Sequence, residues 1–463
     1  MKLSMIVYFI LSQWSAPINF GIPGVEDCNP QTCREQLWEG RTCLVWQAFT
    51  GGGGWEIYSR FIGYNWSDTV CISNSSYWDI NPSVAYDTLR NCFWCVWQNN
   101  FSGINYQIHV SYSLGNSWTP PARLTNDLYN NTSPSVCVVG TNVWVVWKKA
   151  NNIYSCYYDG TSWSAPIPVT NDASVINYDP KISNRHNHPF VVWVREGDIY
   201  YSEYINNAWT TPQAIAPHPA EDIMPEIAVT PQWPDPYRRV WVVWQSNRDG
   251  NYELYRTGCD SLNVFYRITN NTSNDIDPNP LDYMLTVRES GPPLIGFSSD
   301  RNGTYDIYSL RRYWTGGYDT IPVDINPAED ILPVTTMVNG YPSYLWIFWE
   351  TNRNGDRDIY GSYITLYSGI DDIRTTLQNH HLRCIPNPLT DRCFIQYRLE
   401  KNSRINLSLY NHQGALVQKI YQGLEKPGTH YVATNFDSHC NGIYFIVLKT
   451  EEVSVAEKVI ILK

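Results

Sequence analysis

Two acidic segments are the first candidates for chemistry: Pro219-Ala-Glu-Asp-Ile-Met-Pro225 and Pro327-Ala-Glu-Asp-Ile-Leu-Pro333 are close copies of one another. A glycosidase needs two carboxylates facing one sugar at a defined separation, and paired acids are how that requirement would look in a sequence. The acid is not confined to these segments. An Asp or Asn stands three residues before a proline throughout the chain, and a group repeated this often is more simply a turn device that bonds to backbone ahead of a strand. Should several such acids line one mouth of a channel, they would suit a hard cation such as Ca²⁺.

Other reactive residue types are sparser. His186 and His188 fall in Asn184-Arg-His-Asn-His-Pro189, where alternate residues could both reach a metal, but no third ligand accompanies them and a solvated hairpin explains them. Cys92 and Cys95 flank Trp94 inside a strand pattern. Residues three apart on a strand point to opposite faces, which excludes a zinc knuckle or a redox pair. Gly51 to Gly54 precedes no helix and therefore reads as a flexible hairpin rather than a phosphate loop. Arg185, Arg238 and Arg301 could in principle gather on a sialic-acid carboxylate, but nothing in their spacing brings them together. No Gly-x-Ser-x-Gly or His-Glu-x-x-His segment occurs. No residue is assigned a catalytic, cofactor-binding or metal role, and no cofactor is expected.

The elements that must position these residues follow from self-similarity. The tetrapeptide ending in proline recurs as Asp27-Cys-Asn-Pro30, Asp79-Ile-Asn-Pro82, Asn131-Thr-Ser-Pro134, Asn177-Tyr-Asp-Pro180, Asp222-Ile-Met-Pro225, Asp275-Ile-Asp-Pro278 and Asp330-Ile-Leu-Pro333. From proline to proline the steps are 52, 52, 46, 45, 53 and 55 residues, giving seven repeats. Each contains an apolar run ending in an aromatic residue: Trp46, Trp97, Trp147, Trp193, Trp244, Phe297 and Trp349. Next comes a segment such as Asp198-Ile-Tyr200 or Asp306-Ile-Tyr308, degenerate in the second repeat as Gln107-Ile-His109. A fourth landmark, Trp-x-x-Pro, starts at Trp118, Trp163 and Trp209, with looser counterparts at Trp66 and Phe265. Four strand-sized landmarks per repeat describe a four-stranded antiparallel blade, and blades packed radially bury both faces of each sheet. The innermost strand is expected to follow the tetrapeptide. The seventh repeat lacks its fourth landmark, and Trp14-Ser-Ala-Pro17 matches Trp163-Ser-Ala-Pro166 letter for letter. The N-terminal segment is therefore expected to supply the outer strand of the last blade.

Composition agrees with this reading. The chain has 463 residues, 20 Trp and 34 Tyr, with 28 Gly and 29 Pro to punctuate turns, so many short strands and very little helix are expected. Its formal net charge of −11 disfavours a nucleic-acid partner. No apolar run approaches the ~20 residues of a membrane span. Lys2 followed by apolar Leu3 to Leu11 reads as a short signal peptide over 1–12, the alternative being a buried first strand. Of the twelve cysteines, Cys28 and Cys33 are expected in a loop where they could bridge, and one pair is expected among Cys384, Cys393 and Cys440.

The hairpins Ser246-Asn-Arg-Asp-Gly250, Ser299-Asp-Arg-Asn-Gly303 and Thr351-Asn-Arg-Asn-Gly355, each leading into an acid-Ile/Leu-Tyr segment, resemble those of TolB-like (PD40-type) bacterial propellers. After Ser368 the repeat stops, and 369–383 reads as a linker. Pro386-Asn-Pro388, Gly442-Ile-Tyr-Phe445 and the lysine-flanked final strand Lys458 to Lys463 are similar, in that order, to the type A C-terminal sorting domain of the type IX secretion system. The resemblance implies passage across the outer membrane, contact with the type IX machinery, and a secreted or cell-surface destination. The expected architecture is thus all-β: a seven-bladed β-propeller over 13–368 and a small Ig-like β-sandwich over 384–463. The expected function is non-enzymatic, the binding of a protein or carbohydrate partner on a propeller face. The alternative is a sialidase- or glycosidase-like enzyme with its site at the central channel.

Overall fold

The computed structural model describes residues 7–9 and 14–461, apart from 36–39, 52–53, 63–65, 101–102, 232–237, 283–292, 313–317, 339–342, 370–381, 386–391, 400, 412–414, 437–438 and 451–453. Its long elements are all β-strands; among the described residues there is no α-helix, and no helix long and apolar enough to cross a membrane. The chain divides into two compact regions, 10–366 and a second formed by 1–9 with 367–463.

The larger region contains seven antiparallel sheets, one per sequence repeat. In the third repeat the strands Asn131–Val139, Asn142–Lys149, Asn152–Tyr158 and Ile167–Pro168 pair in chain order, and the other six sheets follow the same plan. The first strands are Glu26–Arg34, Asp79–Asp87, Asn131–Val139, Asn177–Arg185, Asp222–Pro231, Asp275–Pro280 and Asp330–Val338. Each touches the next and the seventh touches the first, so the sheets stand in a closed cycle.

The tetrapeptide differs from expectation in an instructive way. It does not precede the innermost strand but forms its beginning. The ladder skips between Ile80 and Ser83, Thr132 and Ser135, and Tyr178 and Lys181, with equivalent skips in the other repeats. The third residue takes a positive φ of 51–55° at Asn29, Asn81, Ser133, Asp179, Met224, Asp277 and Leu332. This is a β-bulge, and it explains the proline: a residue without an N–H is tolerated where the ladder has already been interrupted.

The second-strand aromatics are among the largest fully buried side chains, with Trp46, Trp97, Trp193, Trp244, Phe297 and Trp349 at 0% exposure and Trp147 at 1%. On them lie the aromatics of the third landmark: Tyr58 on Trp46, Tyr154 on Trp147, Tyr200 on Trp193 and Tyr255 on Trp244, with ring centroids 5.9–6.4 Å apart. In the degenerate second repeat His109 takes that place on Trp97, and burial lowers its pKa to about 4. The cores lie between neighbouring sheets rather than within them. One holds Val45, Phe93 and Trp97 from repeats one and two; another holds Trp144, Val191 and Trp193 from repeats three and four. Cys92 and Cys95 belong to different inter-sheet cores, as residues on opposite strand faces must. Cys28 and Cys33 require a correction: the bulge carries the strand Glu26–Arg34 through both, so they lie in a sheet and not in a loop, and both are free thiols.

The cycle is closed by the N-terminal segment. Ser15 N–H donates to Tyr363 O at 2.9 Å, Tyr363 N–H donates to Ser15 Oγ at 3.1 Å, and Ile18–Asn19 pairs with Tyr360–Gly361. Ser164 makes the same reciprocal pair with Tyr157, at 2.8 and 3.1 Å, so the letter-for-letter match is also a geometric one. Phe20, 2% exposed, then enters the core formed by Trp46, Trp346 and Phe348.

The C-terminal region has a three-stranded sheet, Leu382–Ile385, Arg392–Leu399 and Gly428–Asn435, and a four-stranded one ordered Leu416–Glu425, Ser403–Asn411, Gly442–Lys449, Ser454–Ile461. Both contribute to one core that includes Ile395, Tyr397, Leu407, Leu409, Ile446 and Leu448. Val7–Phe9 pairs with Tyr367–Gly369. The rest of the signal-peptide segment, most of the linker and Pro386-Asn-Pro388 lie outside the described residues.

Candidate functional site

The repeated acids turn away from the channel and into their own sheets. Asp27, Asp79, Asn131, Asn177, Asp222, Asp275 and Asp330 are at most 1% exposed. In repeats one to four the indole of the second strand holds this residue: Trp46 Nε1 donates to Asp27 at 2.7 Å, and Trp147 and Trp193 donate to Asn131 and Asn177 at 2.8 Å, with Trp97 and Asp79 paired likewise. In repeats five to seven a guanidinium does so, with Arg248, Arg301 and Arg353 reaching Asp222, Asp275 and Asp330 at 2.6, 2.9 and 3.0 Å. Each arginine comes from the Ser/Thr-x-Arg hairpin, is bonded by that Ser or Thr at 2.9–3.0 Å, and lies over Tyr255, Tyr308 or Tyr360.

This accounts for Arg301. Arg185 is engaged elsewhere, with Glu203 and Asp260, and the side chain of Arg238 lies outside the described residues. Arg185 and Arg301 thus form no common carboxylate site. His186 and Asn187 supply the positive φ angles of their hairpin, and His186 Nε2 lies 2.9 Å from Asp260 Oδ2. Among the described residues no three His, Cys, Asp or Glu side chains gather as a metal site.

The cycle of first strands encloses a cavity of about 590 Å³. Its wall is set by register: the positive-φ residue and the residue after the proline face inward, as Asn29 and Gln31, Asn81 and Ser83, Ser133 and Ser135, Asp179 and Lys181, Met224 and Glu226. Most of this polar lining is spent on joining neighbours. Asn29 Nδ2 donates to Asn81 Oδ1 at 2.9 Å, while Ser83 Oγ and Ser135 Oγ accept Val136 N–H and Ile182 N–H at 3.2 Å.

Arg34 and Asp282 also line the cavity, and its central charged group is Lys181, whose Nζ lies 2.7 Å from Glu226 and 3.8 Å from Asp179. Burial raises the Glu226 carboxyl, and Lys181 offsets only part of that. Burial works against the Lys181 charge too, but the two carboxylates overcome it and raise its pKa. Chemically this is a clamp between repeats four and five, with both carboxylates shared by one ammonium. The sequence signal was the position after the proline, which is Lys181 in one repeat and Glu226 in the next.

A second candidate lies on the hairpin loops. Phe49 and Trp78 are 39% and 47% exposed, and Phe49 rests on Trp55 with centroids 5.6 Å apart. Trp78 packs against Gly54, where a Cβ would come within 2.4 Å of its ring. Its backbone is fixed by Asn100, whose Oδ1 accepts Trp78 N–H at 2.7 Å and whose N–H donates to Trp78 O at 3.0 Å. Gly54, the last residue of the segment read as a hairpin, is thus the seat of an exposed indole. The legible signal was an aromatic residue just ahead of a tetrapeptide, where Asn130, Glu221, Asn274 and Glu329 stand in other repeats.

Residues 383–462 match the family model of the secretion system C-terminal sorting domain. The chain therefore carries a type IX sorting domain and is exported, to the cell surface or as a secreted protein. No curated protein matches the chain. Among solved structures, a protein of unknown function from Dyadobacter fermentans is similar at 9% identity, over 76% of this chain and 99% of that one, with a TM-score of 0.45. A fungal alcohol oxidase of the AA5 family, in complex with copper, is similar at 12% identity over 97% and 99% of the two chains, with a TM-score of 0.48. Trypanosoma rangeli sialidase is similar at 8% identity over 98% and 88%, with a TM-score of 0.42.

Proposed function

We propose that the chain is an exported seven-bladed β-propeller that binds a protein or carbohydrate partner through its loop face and is carried out by an Ig-like sorting domain. The cyclic order of seven sheets supports the blade count, and the Ser/Thr-x-Arg hairpins support the TolB-like type. The first twelve residues act as a signal peptide in this reading, on the strength of Lys2 and the apolar run after it. Binding without catalysis is the preferred activity, and the observation that carries it is the exposure of Phe49 and Trp78 on the hairpin loops, Phe49 seated on Trp55 and Trp78 on Gly54. Rigid, exposed aromatic rings present large contact area at little entropic cost and stack well on sugar faces or apolar side chains.

The second reading, a carbohydrate-active enzyme, is favoured only by carboxylates lining the channel, Asp282 and the Lys181-bound pair Asp179 and Glu226. A glycosidase needs one carboxyl to hold a proton and the other to act freely on the opposite side of the bond. Sharing both with Lys181 suits a structural clamp better. A glycan array run beside a panel of chromogenic glycosides separates the readings. Saturable binding without turnover, abolished in Trp78→Ala at unchanged Tm, is the expected result. Turnover lost in Glu226→Gln would replace the binding reading with the enzymatic one.

A further inference from the structure

The C-terminal domain contains two thiols placed for covalent closure. Cys384 and Cys393 lie on adjacent antiparallel strands, where Cys384 faces Ile395 across the ladder and Cys393 stands two residues from that partner. Both point into the same core, at 5% and 2% exposure. Their thiols are hydrogen-bonded to each other. The third cysteine of the domain, Cys440, is exposed and outside that core. In the propeller Cys33 and Cys43 also face each other across a ladder. There the Cys33 thiol donates to Arg34 O instead, at 3.6 Å.

We propose that Cys384 and Cys393 are an oxidation site of the exported protein, closed into a disulfide once the chain has left the reducing cytoplasm. The reaction is thiol–disulfide exchange with a disulfide-bearing oxidoreductase or a small disulfide such as oxidised glutathione. One thiol is deprotonated and attacks a sulfur of the oxidant, forming a mixed disulfide and expelling the first oxidant thiolate. The second thiol of the pair, deprotonated in turn, attacks its neighbour's sulfur. The Cys384–Cys393 S–S bond forms and the oxidant leaves with two electrons and two protons as two thiols. Both sulfurs are buried, so exchange takes place while the Leu382–Ile385 strand is displaced, before the core is finished. The bond then ties this first strand of the domain to Arg392–Leu399. In the cytoplasm the pair stays reduced and the strand is held by noncovalent contacts alone. The bond would thus distinguish protein folded after export from protein folded before it.

The test uses the full chain, unfolded and refolded with a mixture of reduced and oxidised glutathione, then alkylated in denaturant without further reduction. Peptide mapping should show a Cys384–Cys393 linked peptide and two fewer alkylated thiols than the twelve cysteines of the chain. Cys440→Ser should keep the linked peptide, whereas Cys384→Ser and Cys393→Ser should each lose it and free the other thiol for alkylation. Alkylation of all twelve cysteines in the wild-type chain would overturn the proposal, as would linkage of either residue to Cys440 or to a propeller cysteine. The mapping on wild-type protein stands even if a variant fails to fold.

Discussion

Repeats one to four and repeats five to seven solve one problem in two ways. In both groups a buried Asp or Asn opens the innermost strand and needs a donor. The first group draws it from within the sheet, from an indole N–H one strand away. The second group brings it from a hairpin 23 or 26 residues along the chain, as a guanidinium stacked on tyrosine. The indoles of Trp244 and Trp349 are still present in the second group, yet their Nε1 atoms make no hydrogen bond, and the sixth repeat has Phe297 instead. Once arginine takes the acid, the aromatic residue needs only to fill space. The partner also selects the acid: Asn is found at this position only where an indole is the donor, as in Asn131 and Asn177, and a guanidinium always meets a carboxylate.

The severest break in the comparison is to remove the strand that both groups depend on. Deleting residues 13–20 should lower Tm by many degrees, since loss of Phe20 from its core alone costs about 3–5 kcal/mol. An unchanged thermal melt would mean that the cycle closes without it. Next in size, Arg248→Ala strands Asp222, which is fully buried, and should cost about 3–5 kcal/mol in a urea melt. A loss below about 1 kcal/mol would show that the guanidinium is ornamental.

Smaller and sharper is the pair Trp147→Phe and Trp244→Phe. Both remove the same volume, but only the first removes a hydrogen bond, so its destabilisation should exceed the second by about 1–3 kcal/mol. Equal losses would erase the distinction between the groups.

The smallest effect is on pH. Burial raises Asp27 to about 7 and Asp277 and Asp330 to about 6. The folded protein thus keeps protons that the unfolded chain releases near its ordinary carboxylate pKa. The stability these groups contribute is fully present below the unfolded value and is lost as pH rises through 6 to 7. Tm should therefore be higher at about pH 5 than at about pH 7.5, and Asp27→Asn should flatten part of the slope. A Tm that rises with pH over that interval would contradict this.

Much of this was legible in the sequence. The seven tetrapeptides marked seven sheets because a positive φ followed by proline is a local requirement that leaves a local trace. Trp14-Ser-Ala-Pro17 was readable because the serine, through one N–H and one hydroxyl, makes a reciprocal pair of bonds that helps fix the outer strand. The partner of each acid was less legible. Arg248 and Asp222 are far apart in the chain, and the hairpin motif looked complete as a turn without them. Lys181 and Glu226 were hidden for a different reason: each is an ordinary surface residue in its own repeat, and only the side-by-side stacking of two first strands makes them a pair. Trp78 and Gly54 meet in the same way, through loops of different repeats.

The bond between Ser15 and Tyr363 joins residues 348 positions apart, and this sets an order of events. The first of the two to be synthesised must wait for nearly the whole ring to emerge before its partner exists, so the seam is the last join to be made. A chain cut short anywhere before Tyr363 would keep a bare edge at its final sheet, open to pairing with another copy. Completion of the ring is thus a check that synthesis has passed through the seventh repeat, built into where the first and last sheets meet.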